Sequence, residues 1–228
     1  MPSIKENFEQ VKQKVAAAAR RASRTGEQIA IMAASKTWSA EVVDQAIAAG
    51  CLLIGENRVQ EAAAKLPLLS GSVEKHLIGP LQTNKVNKAL SLFDCIQSVD
   101  SIKLARKIDL AAAQLERRIK CLIEVRLEFE PDKHGVDLGM IRPFLEEIST
   151  LNNLDIQGLM AIPPFADNAE SVRPYFRLLR TLYDNIEAWE LPNVEMNILS
   201  MGMSHDYEVA IEEGANLIRI GRALFGER

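Results

Sequence analysis

Ile29-Ala30-Ile31-Met32-Ala33-Ala34-Ser35-Lys36-Thr37 opens with six small or apolar residues in a row and then meets a lysine. An unbroken apolar run of this length reads as a strand covered on both faces, as in a parallel sheet. Lys36 stands at its C-terminal end, followed by Trp38, Ser39 and the start of a helix. An ammonium is seldom set beside an apolar core without a partner. Two readings are open from this stretch alone. Either the strand is over and Lys36 points to water, or it is a desolvated lysine able to form a Schiff base with a carbonyl compound.

The same unit recurs along the chain. Further strands are predicted over Leu52–Gly55, His76–Gly79, Cys95–Val99, Ile119–Phe129, Asp155–Ile162, Met196–Met201 and Asn216–Gly221. Helices are predicted over Ser39–Gly50, Asn57–Leu66, Gln82–Ser91, Ser101–Leu115, about 137–151, and Asn168–Trp189 with a bend at Pro174. Another is predicted from Ser204, as its N-cap, to Gly214. An additional helix, 4–24, precedes the first strand, with Ile4, Phe8, Val11 and Val15 at helical spacing. Eight alternating units imply a parallel sheet, and in about 228 residues they fit one (β/α)₈ barrel, a TIM barrel spanning 1–228. A doubly wound open sheet fits less well, because no strand is followed by a GxGxxG fingerprint.

Composition narrows the function. The 228 residues are 47% hydrophobic and 25% charged with a net charge of -4, so there is no basic footprint for nucleic acid. Aromatics at 5% leave little for base stacking. Cys51, Cys95 and Cys121 are widely spaced with no CxxC pair, which argues against metal and redox sites. The N-terminus lacks a signal-peptide core, and no apolar run approaches the roughly 20 residues of a membrane span. A cytoplasmic protein is expected, without membrane or nucleic-acid partners.

In a (β/α)₈ barrel the active site lies at the strand C-termini. Here those ends supply Lys36, then Gly55-Glu56-Asn57-Arg58, Gly79-Pro80-Leu81-Gln82, Met160 to Pro164, Ser200-Met201-Gly202-Met203-Ser204 and Arg219-Ile220-Gly221-Arg222. Barrels commonly seat phosphate in the loops after strands seven and eight. Gly202 and Gly221 allow close backbone approach there, Ser204 offers a hydroxyl, and Arg222 adds charge. The plainer reading of Gly202 and Ser204 is a turn and an N-cap. Arg219 emerges from the apolar run Leu217-Ile218-Arg219-Ile220. It supplies either a fixed positive charge at the site or half of a structural ion pair, with Glu124 or Glu128 of strand five as partner. Glu124, Arg126 and Glu128 alternate with Ile123, Val125 and Leu127, and the flanking helices place the charged face inside the barrel.

A lysine at one strand end and phosphate at two others suggest pyridoxal 5′-phosphate (PLP). An arginine against the pyridine nitrogen would keep that nitrogen unprotonated and make the ring a weaker electron sink than the usual aspartate does. A Schiff-base aldolase acting on a phosphorylated substrate is the nearest competitor.

The chain resembles the pyridoxal phosphate homeostasis protein family, whose barrel is similar to the N-terminal domain of alanine racemase. The resemblance rests on Ala34-Ser35-Lys36-Thr37, Gly55-Glu56-Asn57, Val59-Gln60-Glu61, His76 to Gln82, Asn84-Lys85, Gly158 to Pro163, Met201 to Ser204, Arg219-Ile220-Gly221 and Phe225-Gly226. These pieces occur in order over nearly the whole chain. The resemblance implies that Lys36 carries PLP as an aldimine and that Arg219 faces the pyridine nitrogen. It implies phosphate contacts from Ser204, Gly221 and neighbouring backbone including Met203, with Ser200 nearby. Asn57, His76 and Met160 are implied as pocket walls, and Lys133 as a loop lysine that assists imine exchange. Three positions depart from the family pattern: Arg222 replaces a frequent threonine, His205 a frequent aspartate or small residue, and Arg126 a frequent asparagine.

The implied role is to bind PLP, buffer its aldehyde and pass it to PLP-dependent apoenzymes. A weakly active amino-acid racemase is the enzymatic alternative. The chain ends at Arg228 directly after the barrel, so no racemase-like second domain is expected and a monomer is favoured. Tyr175, Tyr183 and Tyr207 all fall on predicted helices, with Tyr207 alone near the site.

Overall fold

A parallel strand pair needs a crossover long enough to return the chain to its starting end, and each barrel strand here but the last is followed by one. The computed structural model describes residues 2–128 and 134–227. Its strands are β1 (Ala30–Ala34), β2 (Leu53–Glu56), β3 (Glu74–Leu77), β4 (Cys95–Val99), β5 (Ile119–Arg126), the two-residue β6 (Val136–Asp137), β7 (Leu154–Met160), β8 (Val194–Met203) and β9 (Leu217–Ile220). All pairings are parallel. β1 pairs with both β2 and β9, and β4 pairs with β5, so eight strands close into a barrel while β6 lies beside β5.

Helices α1 (Ile4–Arg21), α2 (Ala40–Ala48), α3 (Val59–Lys65), α4 (Val86–Leu90), α5 (Ile102–Gln114), α6 (Ile141–Ile148), α7 (Arg173–Glu187), α8 (Tyr207–Glu212) and α9 (Arg222–Phe225) surround it. α1 begins with a Ser3–Glu6 capping box and ends on Arg20 and Arg21, as the helix dipole favours. It packs on α8 and α9. Arg21 clamps Glu208 at 3.0 Å and Glu212 at 2.5 Å.

Successive residues of a strand face opposite sides, and the strands here show it. Ala33, Ile54, Leu77 and Ile123 join the large core between barrel and helices. Met32, Leu53 and Leu217 form one small interior cluster, and Cys95, Leu122 and Met160 another. Leu122 inside and Ile123 and Val125 outside put Glu124 and Arg126 on the interior face. Among the described residues no helix is long and apolar enough to cross a membrane.

Several boundaries differ from expectation, three of them for clear local reasons. β5 stops at Arg126, before Phe129. Pro174 does not bend α7 but stands in its first turn, where a missing N–H costs nothing. A short 3-10 turn, Ala169–Val172, precedes it. Ser204 is not the N-cap of α8: that position belongs to Asp206, and Ser204 sits in the preceding turn.

Candidate functional site

The strand C-termini surround a cavity of about 510 Å³ lined by Ala34, Lys36, Asn57, Met203, Ser204, His205, Arg219, Gly221, Arg222 and the segment from Ile162 to Ala166, among others. A larger hollow of about 680 Å³ lies at the opposite end, between α1 and the starts of β1 and β2. It is remote from every strand C-terminus.

Lys36 stands at the cavity rim and is exposed, so the chain by itself does not desolvate it. Its position is nevertheless fixed. Thr37 adopts φ +68°, unusual for a β-branched residue, and its hydroxyl bonds the Lys36 carbonyl at 2.6 Å. From below, Lys65 donates to the carbonyls of Ser35 at 2.7 Å and Trp38 at 3.1 Å. Its ammonium is paired with the fully buried Glu56 at 2.6 Å, and Ser35 also donates to Glu56 at 2.5 Å. A buried cation thus braces the turn that presents the exposed one.

Arg219 is 4% exposed. Its Nη1 donates to the Ser200 carbonyl at 2.8 Å and hydroxyl at 2.7 Å, and its Nη2 to the Ala161 carbonyl at 2.8 Å. Nε and the second N–H of Nη2 have no hydrogen-bond partner among the described residues and are the donors left for a ligand. No carboxylate pairs directly with this guanidinium among the described residues, so the structural ion pair is not what holds it. Burial lowers its pKa to about 10, against the pull of Asp206 and Glu124, and it stays cationic at neutral pH.

The loops after β8 and β9 meet beside it. The Ser204 hydroxyl accepts the N–H groups of Gly221 and Ala223, each at 3.2 Å. Asp206 accepts the Met203 N–H at 2.6 Å; burial raises its pKa. The N–H groups of Ser204, His205 and Arg222 have no partner among the described residues. Grouped backbone donors of this kind suit an anion. Gly202 serves a different purpose from the ligand approach expected of it. At φ +91°, a Cβ there would lie 2.6 Å from Ala210 Cβ and 2.9 Å from Tyr207 Cα, so its bareness lets α8 pack.

Of the expected residues, Lys36, Asn57, Met203, Ser204, Arg219, Gly221 and Arg222 line the cavity together. Asn57 Oδ1 is buried with no partner. His76, Met160 and Ser200 are not walls of the cavity. They are 1%, 0% and 0% exposed and fill the barrel interior beneath it. His205 lines the cavity and stacks with Phe165, ring centroids 6.4 Å apart. Arg126 pairs with Asp137 at 2.7 Å beside a smaller cavity. Lys133 lies outside the described residues. Sequence reasoning missed Gln97, a polar residue of the same strand parity as Cys95, which was the available signal. Tyr183 and Tyr207 are buried in the outer core, and Tyr175 donates to Glu128.

The barrel and its rim place the chain among proteins built like the N-terminal domain of alanine racemase, whose family model matches residues 3–228. An alanine racemase of Clostridium difficile superimposes with a TM-score of 0.77 at 14% identity, over 99% of this chain and 57% of that one. That likeness is of fold. A pyridoxal phosphate homeostasis protein of Aquifex aeolicus is 42% identical over 98% of this chain and 97% of its own. The structure of PipY of Synechococcus elongatus with PLP bound has a TM-score of 0.87 at 36% identity, covering 98% of this chain and all of that one. The chain belongs to the pyridoxal phosphate homeostasis protein family.

Proposed function

We propose that this chain binds PLP at the strand C-termini and keeps or hands on the cofactor, acting in PLP homeostasis rather than in amino-acid turnover. What carries the reading is the convergence on one cavity of a free primary amine, a buried guanidinium with N–H groups to spare, and backbone N–H groups without partners. These match the aldehyde, the pyridine nitrogen and the phosphate. The orphaned Asn57 Oδ1 is a further polar atom in want of a ligand. When bound, the cofactor supplies an aldehyde that condenses reversibly with amines. Lys36 Nζ would hold that aldehyde, Arg219 Nε would face the ring nitrogen, and Ser204, His205, Gly221 and Arg222 would surround the phosphate. A cationic guanidinium disfavours protonation of the ring nitrogen, which limits carbanion chemistry. None of the three tyrosines lines the cavity, so no tyrosine is placed as a second base. The chain is read as a cytoplasmic monomer that serves PLP-dependent apoenzymes.

The purified chain mixed with PLP should turn yellow, and borohydride should fix the cofactor on Lys36, with Lys36→Ala colourless. A wild-type chain that stays colourless would favour the aldolase reading. Rapid exchange of amino-acid α-protons into heavy water would overturn the non-enzymatic role.

A further inference from the structure

Arg219 is tied to a line of buried polar side chains that crosses the barrel interior. The Ser200 hydroxyl donates to Gln97 Oε1 at 2.7 Å. Gln97 Nε2 lies 2.7 Å from His76 Nδ1. His76 Nε2 lies 3.1 Å from Glu74 Oε1. Ser200, Gln97 and His76 are at most 1% exposed, whereas the Glu74 side chain is 43% exposed near the other end of the barrel.

The bonds share one direction in the structure, starting from Arg219. A guanidinium can only donate, so Ser200 Oγ accepts from Arg219, and in the structure its own hydrogen goes to Gln97 Oε1. Gln97 must therefore present its carbonyl to Ser200 and its amide N–H to His76. That N–H needs the Nδ1 lone pair, which places the ring proton on Nε2, aimed at the Glu74 carboxylate. Lys120, 3.5 Å from Glu74, is the cation at that end. In the structure the line runs one way, from guanidinium to carboxylate.

We infer that Gln97 is a positioning residue for Arg219: through Ser200 it fixes the guanidinium so that Nε is the donor offered to the ring of a bound cofactor, and through His76 its own amide is held from flipping. This rests on the PLP reading for its ligand, but the His76 tautomer is a property of the chain alone. Cutting the line at either Gln97 or Ser200 loosens the same Arg219–Ser200 hydroxyl bond, while the Ser200 and Ala161 carbonyls still hold the guanidinium, so the two losses overlap instead of adding.

The test uses the full chain. In ¹⁵N NMR without cofactor, His76 should appear as the Nε2–H tautomer, with a His76→Gln chain assigning its signals among the three histidines. Gln97→Leu and Ser200→Ala should each weaken PLP binding about tenfold, the weight of one or two buried hydrogen bonds. Each should also move the pH at which the bound-cofactor band changes. The double variant should be no weaker than the worse single one by more than about twofold. Gln97→Glu keeps an acceptor for Ser200 and should recover affinity relative to Gln97→Leu. A proton on His76 Nδ1 in the wild type, or wild-type affinity and pH profile in Gln97→Leu, overturns the inference. If Gln97→Leu does not fold, the tautomer, Ser200→Ala and Gln97→Glu decide it. Borohydride trapping separates the two levels: no trapping in the wild type sinks the PLP reading, whereas trapping with indifferent variants sinks only this one.

Discussion

Ser204 and Gly221 are joined by a hydrogen bond from the Gly221 N–H to the Ser204 hydroxyl at 3.2 Å, which ties the loop after β8 to the loop after β9. The hydroxyl is thus a fastener between two backbone segments, and the neighbouring N–H groups owe their grouping to it. Ser204→Ala should weaken PLP binding about tenfold and cost about 1–2 kcal/mol of stability through its two lost acceptances. Lys36 should still be trapped by borohydride at saturating PLP. Titration by absorbance together with urea unfolding checks both parts, and an affinity equal to wild type would show the fastener to be idle.

The buried Lys65–Glu56 pair supports the turn below Lys36. Lys65→Met should cost about 3–5 kcal/mol, because it leaves the Glu56 carboxylate buried without its cation. Adding Glu56→Leu should return a large part of that loss. Urea midpoints of the single and double variants measure it; a double variant as unstable as Lys65→Met alone would refute the account.

Glu124 faces the barrel interior, where burial, with help from Asp100, raises its pKa from 4.5 to about 7 against the pull of His134 and Arg219. A carboxyl whose folded pKa is raised holds its proton in the native state after the unfolded chain has lost it. Stability therefore falls as pH rises from about 4.5 through about 7, and the loss is complete above that. Glu124→Gln should remove this slope, leaving the variant more stable than wild type at pH 8 relative to its standing at pH 4. Thermal unfolding across that range would show parallel profiles if Glu124 titrated normally.

The barrel was legible because each strand is a short apolar run followed by a helix, a pattern that parallel pairing demands. Predicted strand starts fall within two residues of those observed. Strand parity likewise put Glu124 and Arg126 on one face, which the flanking helices placed inside, and put Arg219 on a face shared with Leu217 and Gly221. Parity carries no depth, however. His76, Met160 and Ser200 point inward as expected but lie below the cavity, since depth depends on how far each strand is staggered against its neighbours. Gln97 escaped notice because strand four ends without the glycines and polar clusters that marked the others. Ser204 was misplaced as a helix cap because Asp206, two residues on, stands at that position, and the partners of the serine belong to a different loop. The bareness of Gly202 is explained by α8, which no local reading of Met201-Gly202-Met203 contains.

The pairing of β1 with β9 has a consequence for how the molecule matures. Ala30 is matched to Leu217 and Met32 to Arg219, so the lysine and the guanidinium come from the first and last strands to be synthesised. Such a contact is about as nonlocal as the chain allows, and nonlocal pairings form late. Until β9 docks, β1 carries an unpaired edge and the rim does not exist. Ligand capture therefore reports completed closure of the barrel, and a ligand that binds only the closed form draws the last folding step toward completion.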